Sequence, residues 1–502
     1  MASTGLRQCV RDVTPYLLLL ILISTLGPLQ FGFHLAELNS PQDVITCKKE
    51  PVSQRKTAGL SNAKLPQCIP MSAAEFGAIS SVYTIGGLLG ALCAGPVSTS
   101  YGRLLAMRIT AFFFVLGAVL ETVAGSIPIL GIGRILAGVG AGASTVIVPL
   151  YVSEIAPPAE RGLFGSLTQV MINVGILVTQ TLGYYYSRGS MWRLILAVGC
   201  GIGVVQGIGL VVLPESPAWL AAHDQSQKAV RILKRIRGSG NSIDSEIEGW
   251  DVDKDSAEEE RLLSDAPSSP GSPLVNKASQ KSVANVGFLQ VMRDPLYQPA
   301  IVAVIGIMFA QQFCGINSIM MYSVSLLSGV LPMSSSLLTI MISVINLITT
   351  IACAPLADKI GRKSCLLLSI SGMGTMSCVL ALSMRWQIKA LSAISVILFV
   401  AFFATGLGPV PFMMASELVG QEAVGATQSW CLAANYIATF LVAQFFPIVN
   451  NWLNHSLGGV GWVFFIFSAF ALLSALFVAW KVPETKGKKD ADEVWGRTRR
   501  VD

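Results

Sequence analysis

The composition of this 502-residue chain excludes most classes of soluble protein. Apolar and aromatic residues make up 52% of it and charged residues only 13%, about half the usual quarter. So few charges cannot cover a soluble surface, which excludes a cytosolic globular enzyme, a disordered scaffold and a disulfide-stapled secreted domain. The net charge of +6 comes from short basic clusters between apolar runs, a pattern that indicates membrane topology rather than nucleic-acid binding.

Twelve apolar runs are long enough to cross a membrane as α-helices, which takes about 20 residues. They form two groups of six, so we predict an all-α membrane protein with twelve transmembrane helices. The first group covers 15–37, 73–97, 104–125, 128–152, 162–186 and 191–213, and the second covers 298–326, 334–357, 364–384, 391–415, 425–448 and 460–481. No small-residue cleavage site follows the first run, which we therefore interpret as a retained helix.

Basic loops set the predicted orientation, because positively charged loops stay in the cytosol. They follow the second, fourth, eighth and last runs, so both termini are expected in the cytosol. The expected domains are a cytosolic N-terminus (1–14), a first six-helix half (15–213), a cytosolic linker (214–297), a second six-helix half (298–481) and a cytosolic tail (482–502). In the linker, 225–237 is predicted to form an amphipathic surface helix, and 239–282, rich in Ser, Asp and Glu, a mobile stretch.

Two features mark the predicted outer loops. Cys47 and Cys68 both follow the first run, on the side of the membrane where a disulfide persists. A bond between them and two free thiols are both compatible with the sequence. Asn454-His-Ser456 is a glycosylation sequon, so Asn454 is a candidate glycan acceptor.

An internal repeat relates the two groups of runs. Three markers recur in the same order: Gly102-Arg103 as Gly361-Arg362, Glu154 as Glu417, and Pro214-Glu-Ser216 as Pro483-Glu-Thr485. Two like-oriented six-helix halves form a parallel repeat, the arrangement of the major facilitator architecture. Such transporters bind their substrate between the halves, near the midplane.

Further short motifs follow one another along almost the whole chain. They are Gly133-Arg134, Pro149-Leu-Tyr151, Glu154-Ile-Ala-Pro157, Arg161-Gly162, Pro214-Glu-Ser-Pro217, Gln311-Gln312, Gly315-Ile-Asn317, Asp358-Lys-Ile-Gly-Arg-Lys363 and Pro483-Glu-Thr-Lys-Gly487. In this order they resemble the sugar porter family of the major facilitator superfamily. Phe31-Gly-Phe-His34 with Asn39-Ser-Pro41 is most similar to the facilitative glucose transporters and to a fungal, vacuole-associated branch. The resemblance implies transport of a hexose or related polyol by alternating access, as a uniporter or a proton symporter, in the plasma or vacuolar membrane.

Neutral amides inside the apolar runs are the candidate substrate contacts. Gln169, Asn173 and Gln180 share one face of the fifth run, because spacings of 4, 7 and 11 are near whole helical turns. Amides in hydrocarbon need partners, so they either bond between helices or meet a sugar, whose hydroxyls suit an amide. Asn173 is assigned to the structural role. The resemblance implies sugar contacts from Gln169, Gln311, Gln312, Asn317, Asn346 and Asn435.

Two positions shape the expected binding surface further. Gln312 and Asn317 are five residues apart and reach the same face only if the helix breaks at Gly315, as in discontinuous transporter helices. Phe412 stands where animal glucose transporters carry a tryptophan. It still stacks on a substrate but lacks the indole N–H, which leaves the sugar preference open.

His34 is a candidate coupling residue together with Arg134. The resemblance places His34 where proton-coupled sugar porters carry an aspartate and facilitators an asparagine. Histidine titrates near neutral pH, and an ionisable group inside a membrane indicates function by default. The two readings are a proton-coupling site and a neutral hydrogen-bonding group.

Charges at the cytosolic ends of the runs resemble the cytosolic gate of the family. The gate residues are Gly102, Arg103, Glu154 and Arg161 in the first half and Asp358, Gly361, Arg362 and Glu417 in the second. They either pair when the cytosolic side closes or are ordinary loop charges. Val424 stands where the arginine matching Arg161 belongs, so fewer pairs and a weaker lock are predicted.

No catalytic constellation is found. The three histidines, His34, His223 and His455, fall in different compartments, and no Walker-type phosphate loop occurs, so neither an enzyme nor ATP-driven transport is predicted. We expect no cofactor or metal, and as partners a sugar, possible protons and the lipid bilayer, with function as a monomer. The alternative is a non-transporting sugar sensor on the same fold, which the tail of about 20 residues after Pro483 disfavours.

Overall fold

The computed structural model of the protein describes residues 14–48, 65–157, 160–238, 244–247, 288–326, 335–354, 356–420, 423–488 and 491–496. Within these ranges the regular structure is helical. The predicted mobile stretch 239–282 lies outside them, apart from a short helix at 244–247, and so does most of the N-terminus.

Helices of the first half begin where capping residues satisfy free N–H groups. Thr14 Oγ1 accepts from Leu17 N ahead of the first helix, and Ser72 and Glu75 form a reciprocal capping box ahead of another. These helices are α1 Pro15–Ser24, α2 Leu26–Ala36, α3 Gln42–Ile45, α4 Ala73–Tyr101, α5 Arg103–Val123, α6 Ile127–Ile155, α7 Arg161–Tyr186 and α8 Trp192–Val212.

The second half repeats this pattern after the linker. The linker helices are α9 Pro217–Ala222, α10 Ser226–Arg237, α11 Asp244–Ile247 and α12 Phe288–Arg293, and α10 is the predicted amphipathic helix. The remaining helices are α13 Gln298–Phe313, α14 Ile316–Leu326, α15 Ser335–Cys353, α16 Leu356–Ile360, α17 Arg362–Arg385, α18 Lys389–Thr405, α19 Val410–Glu417, α20 Val424–Leu457, α21 Trp462–Lys481 and α22 Ala491–Val494.

The described helices account for the twelve predicted spans. Ten segments are long and apolar enough to cross a membrane, and the bent pair α13 and α14 forms another. Helix α7, with 26 residues, completes the set, although Gln169, Asn173 and Gln180 lower its hydropathy. Polar residues of this kind are expected in a helix that faces a polar cavity rather than lipid.

Two of the described spans contain a break in the helix, and residues beside each break contribute to the cavity. The predicted break at Gly315 is present, where φ is +96° and α13 and α14 diverge by 40°. The tenth span breaks between α18 and α19 at Gly406-Leu-Gly-Pro409, a sequence that ends helices. Gly406 lies against the backbone of Cys365, so a side chain there has no room.

Close helix crossings hold each half together, and two helix pairs make the most extensive contacts between the halves. In the first half, Gly142 of α6 lies against the backbone of Gly87 in α4, a small-residue contact typical of membrane helices. Between the halves, α4 packs on α20 and α7 packs on α15. The space left between these pairs is the central cavity.

Two outer-loop predictions fall in described parts of the chain. Cys47 and Cys68 form a disulfide, and the end of that loop is held by Trp192 Nε1, which donates to Gln67 O at 2.8 Å. The sequon at Asn454 was expected in a loop, which is wrong. Helix α20 continues to Leu457, so Asn454 lies in its last turns and donates to Asn450 Oδ1 at 3.4 Å.

Candidate functional site

A central cavity between the halves brings together all seven predicted substrate contacts. The empty space between its wall residues is about 770 Å³, which includes space open to solvent. The predicted residues on its wall are Gln169, Gln311, Gln312, Asn317, Asn346, Phe412 and Asn435.

The wall from the second half is a chain of amides. Asn317 Nδ2 donates to Gln312 Oε1 at 2.6 Å, and Gln312 Nε2 donates to Gln311 Oε1 at 3.2 Å. Asn435 Nδ2 also donates to Gln311 Oε1, while Gln311 Nε2 donates to Leu407 O in the break of the tenth span. The break at Gly315 turns Asn317 back onto Gln312. All these groups are neutral, and each can exchange its amide partner for a hydroxyl group.

The wall from the first half meets the second through Asn173. Its Nδ2 donates to Thr350 Oγ1 at 2.8 Å, and its Oδ1 accepts from Asn346 Nδ2 at 3.3 Å. Gln169 Nε2 donates to the same oxygen at 3.4 Å. Asn173 thus makes the interhelical bond expected of it and also lines the cavity. Asn346 Oδ1 is buried without a hydrogen-bond partner.

Several cavity residues escaped the sequence analysis. Tyr83, Thr84, Thr145 and Thr439 line the wall with the predicted set. Thr439 follows Asn435 by one helical turn, so helical spacing was an available signal. Thr145 Oγ1 lies 3.4 Å from Tyr436 Oη across the two halves, a contact that no spacing in the sequence indicates.

Hydrogen bonds join the halves on the side of the cavity predicted to face outward. Asn39 Nδ2 donates to Met320 O at 3.0 Å, and Asn39 Oδ1 accepts from Val324 N at 3.3 Å. Ser81 Oγ donates to Gln444 Oε1 at 2.8 Å. We call these contacts the outer bridge. They hold the outer ends of the halves together above the cavity.

At the predicted cytosolic ends, the described residues of each half include a bidentate ion pair. Arg103 binds Glu154 with an Nη2–Oε1 distance of 2.7 Å, and Arg362 binds Glu417 at 3.0 Å. Both pairs are partly buried, and each lies within its own half. Because neither pair connects the two halves, its formation does not require the cytosolic ends of the halves to meet. The side chains of Arg161 and Asp358 lie outside the described part of the structure.

Gly102 and Gly361 precede two helices whose first N–H groups bind a glutamate carboxylate. The two glutamates, Glu215 and Glu484, were noted in the sequence only as part of the internal repeat. Both glycines have positive φ, +97° and +101°. Glu215 accepts from the N–H groups of Arg103 and Leu104 at 2.9 and 3.0 Å. Glu484 does the same for Arg362 and Lys363, at 2.8 and 3.1 Å. Each carboxylate thereby neutralises the positive end of a helix dipole.

His34 and Arg134 belong to a buried cluster of ionisable groups in the first half. His34 Nδ1 hydrogen-bonds Glu37 Oε1 at 3.1 Å, and Arg134 Nη1 contacts Glu37 Oε1 at 2.5 Å and His34 O at 2.6 Å. Glu121 of α5 is the fourth member, 4.0 Å from His34 Nδ1. All four side chains are at most 1% exposed.

The two glutamates of this cluster were missed by the sequence analysis. Glu37 follows His34 by three residues, so the two share a helix face. Glu121 is an acid inside the third apolar run, a functional signal in itself. Both signals were present in the sequence and were overlooked because the family motif directed attention to His34 and Arg134.

Comparison with known proteins identifies the family. A family model described as "Sugar (and other) transporter" matches residues 20–494. The chain belongs to the sugar transporter family. It is therefore an integral membrane transporter rather than an enzyme, as the composition and the absence of a catalytic set predicted.

Individual relatives of this family member extend over nearly its whole length. A probable metabolite transport protein of Saccharomyces cerevisiae, YBR241C, is 34% identical over 99% of this chain and 98% of its own length. Vacuolar protein sorting-associated protein 73 of the same yeast is 30% identical over 96% of each chain.

A solved structure gives the fold. The proton:xylose symporter XylE of E. coli, bound to 6-bromo-6-deoxy-D-glucose, is similar with a TM-score of 0.70 and 24% identity, over 96% of this chain and 98% of that one. This likeness establishes the major facilitator fold that the internal repeat predicted.

Proposed function

We propose that this transporter moves a hexose or a related polyol across the membrane by alternating access. The observation that carries the proposal is the cavity wall, where neutral amides from both halves face one space. A sugar has many hydroxyl groups and no charge, and each amide both donates to and accepts from a hydroxyl. Phe31 and Phe412 add aromatic surface to the same wall, which suits the apolar face of a sugar ring.

The contacts between the halves support alternating access. The outer bridge joins the two halves above the cavity, whereas each ion pair at the opposite ends lies within one half. The halves can therefore separate at the cytosolic ends without breaking either ion pair. Substrate between the halves would then exchange with the cytosol, and breaking the outer bridge would expose it to the other side.

The comparisons supply further support and bear on the membrane. XylE, named as a xylose symporter, was solved with a glucose derivative, so a pyranose site is compatible with the fold. We place the transporter in the plasma membrane or the vacuolar membrane, the latter because a yeast relative is named for vacuolar protein sorting. One chain holds the whole cavity, so a monomer suffices. The same findings favour transport over a sugar sensor.

Replacing Gln312 by alanine tests the assignment of the cavity. Loss of its amide removes about 1–2 kcal/mol of binding, which raises the half-saturation concentration for sugar roughly tenfold. The measurement is uptake of radiolabelled D-glucose and D-xylose into proteoliposomes. Gln225→Ala, which removes an amide outside the cavity, is the control and should behave as wild type. Absence of saturable uptake by folded wild-type protein, or equal uptake by Gln312→Ala, contradicts the proposal.

A further inference from the structure

The charges of the buried cluster do not balance if every acid is ionised. Arg134 carries one positive charge and contacts Glu37, which leaves the Glu121 carboxylate unmatched. Both oxygens of Glu121 are buried without a hydrogen-bond partner. Oε2 of Glu37 lies 3.0 Å from His34 Nδ1, but the hydrogen bond of that nitrogen goes to Oε1. An uncompensated charge inside a membrane protein is costly, so the cluster needs one further positive charge in the form of a proton. A proton added to His34 would leave its buried Nε2–H without a hydrogen-bond acceptor.

The position of the two acids shows where that charge fits. One side-chain ligand atom from each of His34, Glu37 and Glu121 lies within 4.8 Å of the others, which places the two carboxyl groups side by side. Two carboxylates are both acceptors and cannot bond to each other. A single proton turns one of them into a donor, satisfies an orphaned oxygen on each and removes the excess negative charge.

We propose that Glu37 and Glu121 form a proton-binding site in which one proton is shared between the two carboxyl groups. The motif resemblance pointed to His34 and Arg134, whereas the geometry assigns the proton to the acids. Because a carboxylate only accepts, His34 serves them as an Nδ1–H donor. A metal cation does not suit this position, since the Arg134 guanidinium already lies against Glu37.

The helices packed around the site present the following charged and ionisable groups to it. Helix α2 contributes His34 and is followed directly by Glu37, its C-cap residue. Helix α5 contributes Glu121, and α6 contributes Arg134, whose guanidinium lies 4.5 Å from the centre of the Tyr83 ring in α4. Helix α8 presents Gly199 to His34. Arg193, at the start of α8, donates instead to Thr122 O and Pro66 O.

This site is one side chain away from the sugar cavity. Tyr83 lines the cavity and donates to Phe31 O at 3.1 Å, while its ring covers Arg134. Phe31 and Leu35 line the cavity from α2, the helix that carries His34 and directly precedes Glu37. A shift of α2 on sugar binding therefore changes the separation of the two acids. This link makes proton binding part of the transport cycle, and it rests on the proposed function.

Proton-driven uptake tests the link. Wild-type protein in proteoliposomes should accumulate radiolabelled D-glucose above equilibrium under an inward proton gradient. Glu121→Gln places an amide donor where the shared proton was, so it should still exchange glucose by counterflow but only reach equilibrium. Glu75→Gln is the control, because a glutamine also completes the capping box at that exposed position, and it should accumulate glucose as wild type does.

Infrared spectroscopy tests the site without relying on transport. Wild-type protein at neutral pH should show the carbonyl band of a buried protonated carboxyl group, which shifts in heavy water and is lost in Glu121→Gln. If Glu121→Gln does not fold, the presence or absence of the band in the wild-type protein decides.

Absence of the carbonyl band overturns the proposal of a shared proton. Saturable uptake that ignores the gradient overturns its link to transport, and uptake lost on chelation and restored by Mn²⁺ overturns the proton in favour of a metal. Lack of any saturable uptake while the band is present contradicts only the proposed function and the link.

Discussion

Glu215 and Glu484 each bind the N-terminus of a helix in their own half of the protein. Each comes from the chain just after the last helix of its half and receives two backbone N–H groups at the start of α5 or α17. A carboxylate at a helix N-terminus gains from the helix dipole as well as from the hydrogen bonds. These two residues therefore tie the end of each half to its middle.

Replacing Glu215 by glutamine should lower stability. The amide keeps the size of the side chain but loses the negative charge, so we expect a loss of about 1–2 kcal/mol. Thermal unfolding of the purified protein in detergent measures it as a lower Tm. Asp224→Asn, an exposed acid in the linker, is the control. Equal Tm values for Glu215→Gln and wild type would show that this cap contributes nothing.

The sequence allowed the polar cavity residues to be predicted better than the buried charges. An amide inside an apolar run stands out, and the family resemblance marked Gln169, Gln312 and Asn346 as substrate contacts. Their partners were not predicted, because Asn173 bonding to Thr350 depends on how α7 meets α15. The pairing of Glu37 with Glu121 likewise requires the third span to lie beside the first, which no spacing along the chain encodes.

At the scale of helices, close crossings position the functional side chains. Gly142 of α6 lies against Gly87 of α4, and these two helices carry Arg134 and Tyr83. Any side chain at Gly142 would collide with the carbonyl of Gly87. The crossing therefore sets how Arg134 meets the Tyr83 ring.

Gly142→Val should disrupt this crossing. Overpacking of a close contact costs about 1–3 kcal/mol, so we expect a lower Tm and a smaller monodisperse fraction in size-exclusion chromatography. Gly131→Val lies on the same helix at a position where an added Cβ has no neighbour within 4 Å. It should behave as wild type. A Gly142→Val protein as stable as Gly131→Val would contradict the role of the crossing.

The sequence allowed the helices themselves to be predicted, whereas their ends and their internal breaks could be predicted only in part. The family resemblance implied the break at Gly315, which brings Gln312 and Asn317, five residues apart, onto one face. The break at Gly408-Pro409 had an equally clear signal in its residues but was not predicted. Hydropathy placed the end of the eleventh span near residue 448, yet α20 continues to Leu457, because a helix does not have to end where the membrane does.

At the scale of the whole molecule, the outer bridge holds the two halves together on one side of the cavity. Asn39 takes part with both its donor and its acceptor, through Met320 O and Val324 N. Since its partners lie in α14, just after the break at Gly315, the bridge joins the first half to a short and separately hinged helix segment. Opening of the outer side must release this segment.

Asn39→Ala should therefore loosen α14. Loss of two hydrogen bonds of about 1 kcal/mol each shifts an opening equilibrium by roughly tenfold or more. Hydrogen–deuterium exchange followed by mass spectrometry should report faster exchange in α14 than in wild type. Asn450→Ala, near the outer end of α20, is the control. Unchanged exchange in α14 of Asn39→Ala would show that the bridge does not restrain it.

The twofold arrangement of helix caps and ion pairs has a consequence for ancestry. Gly102 with Glu215 and Gly361 with Glu484 are the same device built twice, as expected if one six-helix unit was duplicated and the copies were joined. The two copies have since taken on different functions. The second contributes most of the amides on the cavity wall, while the first holds the buried charges, so a change of cargo and a change of driving ion are open to selection separately.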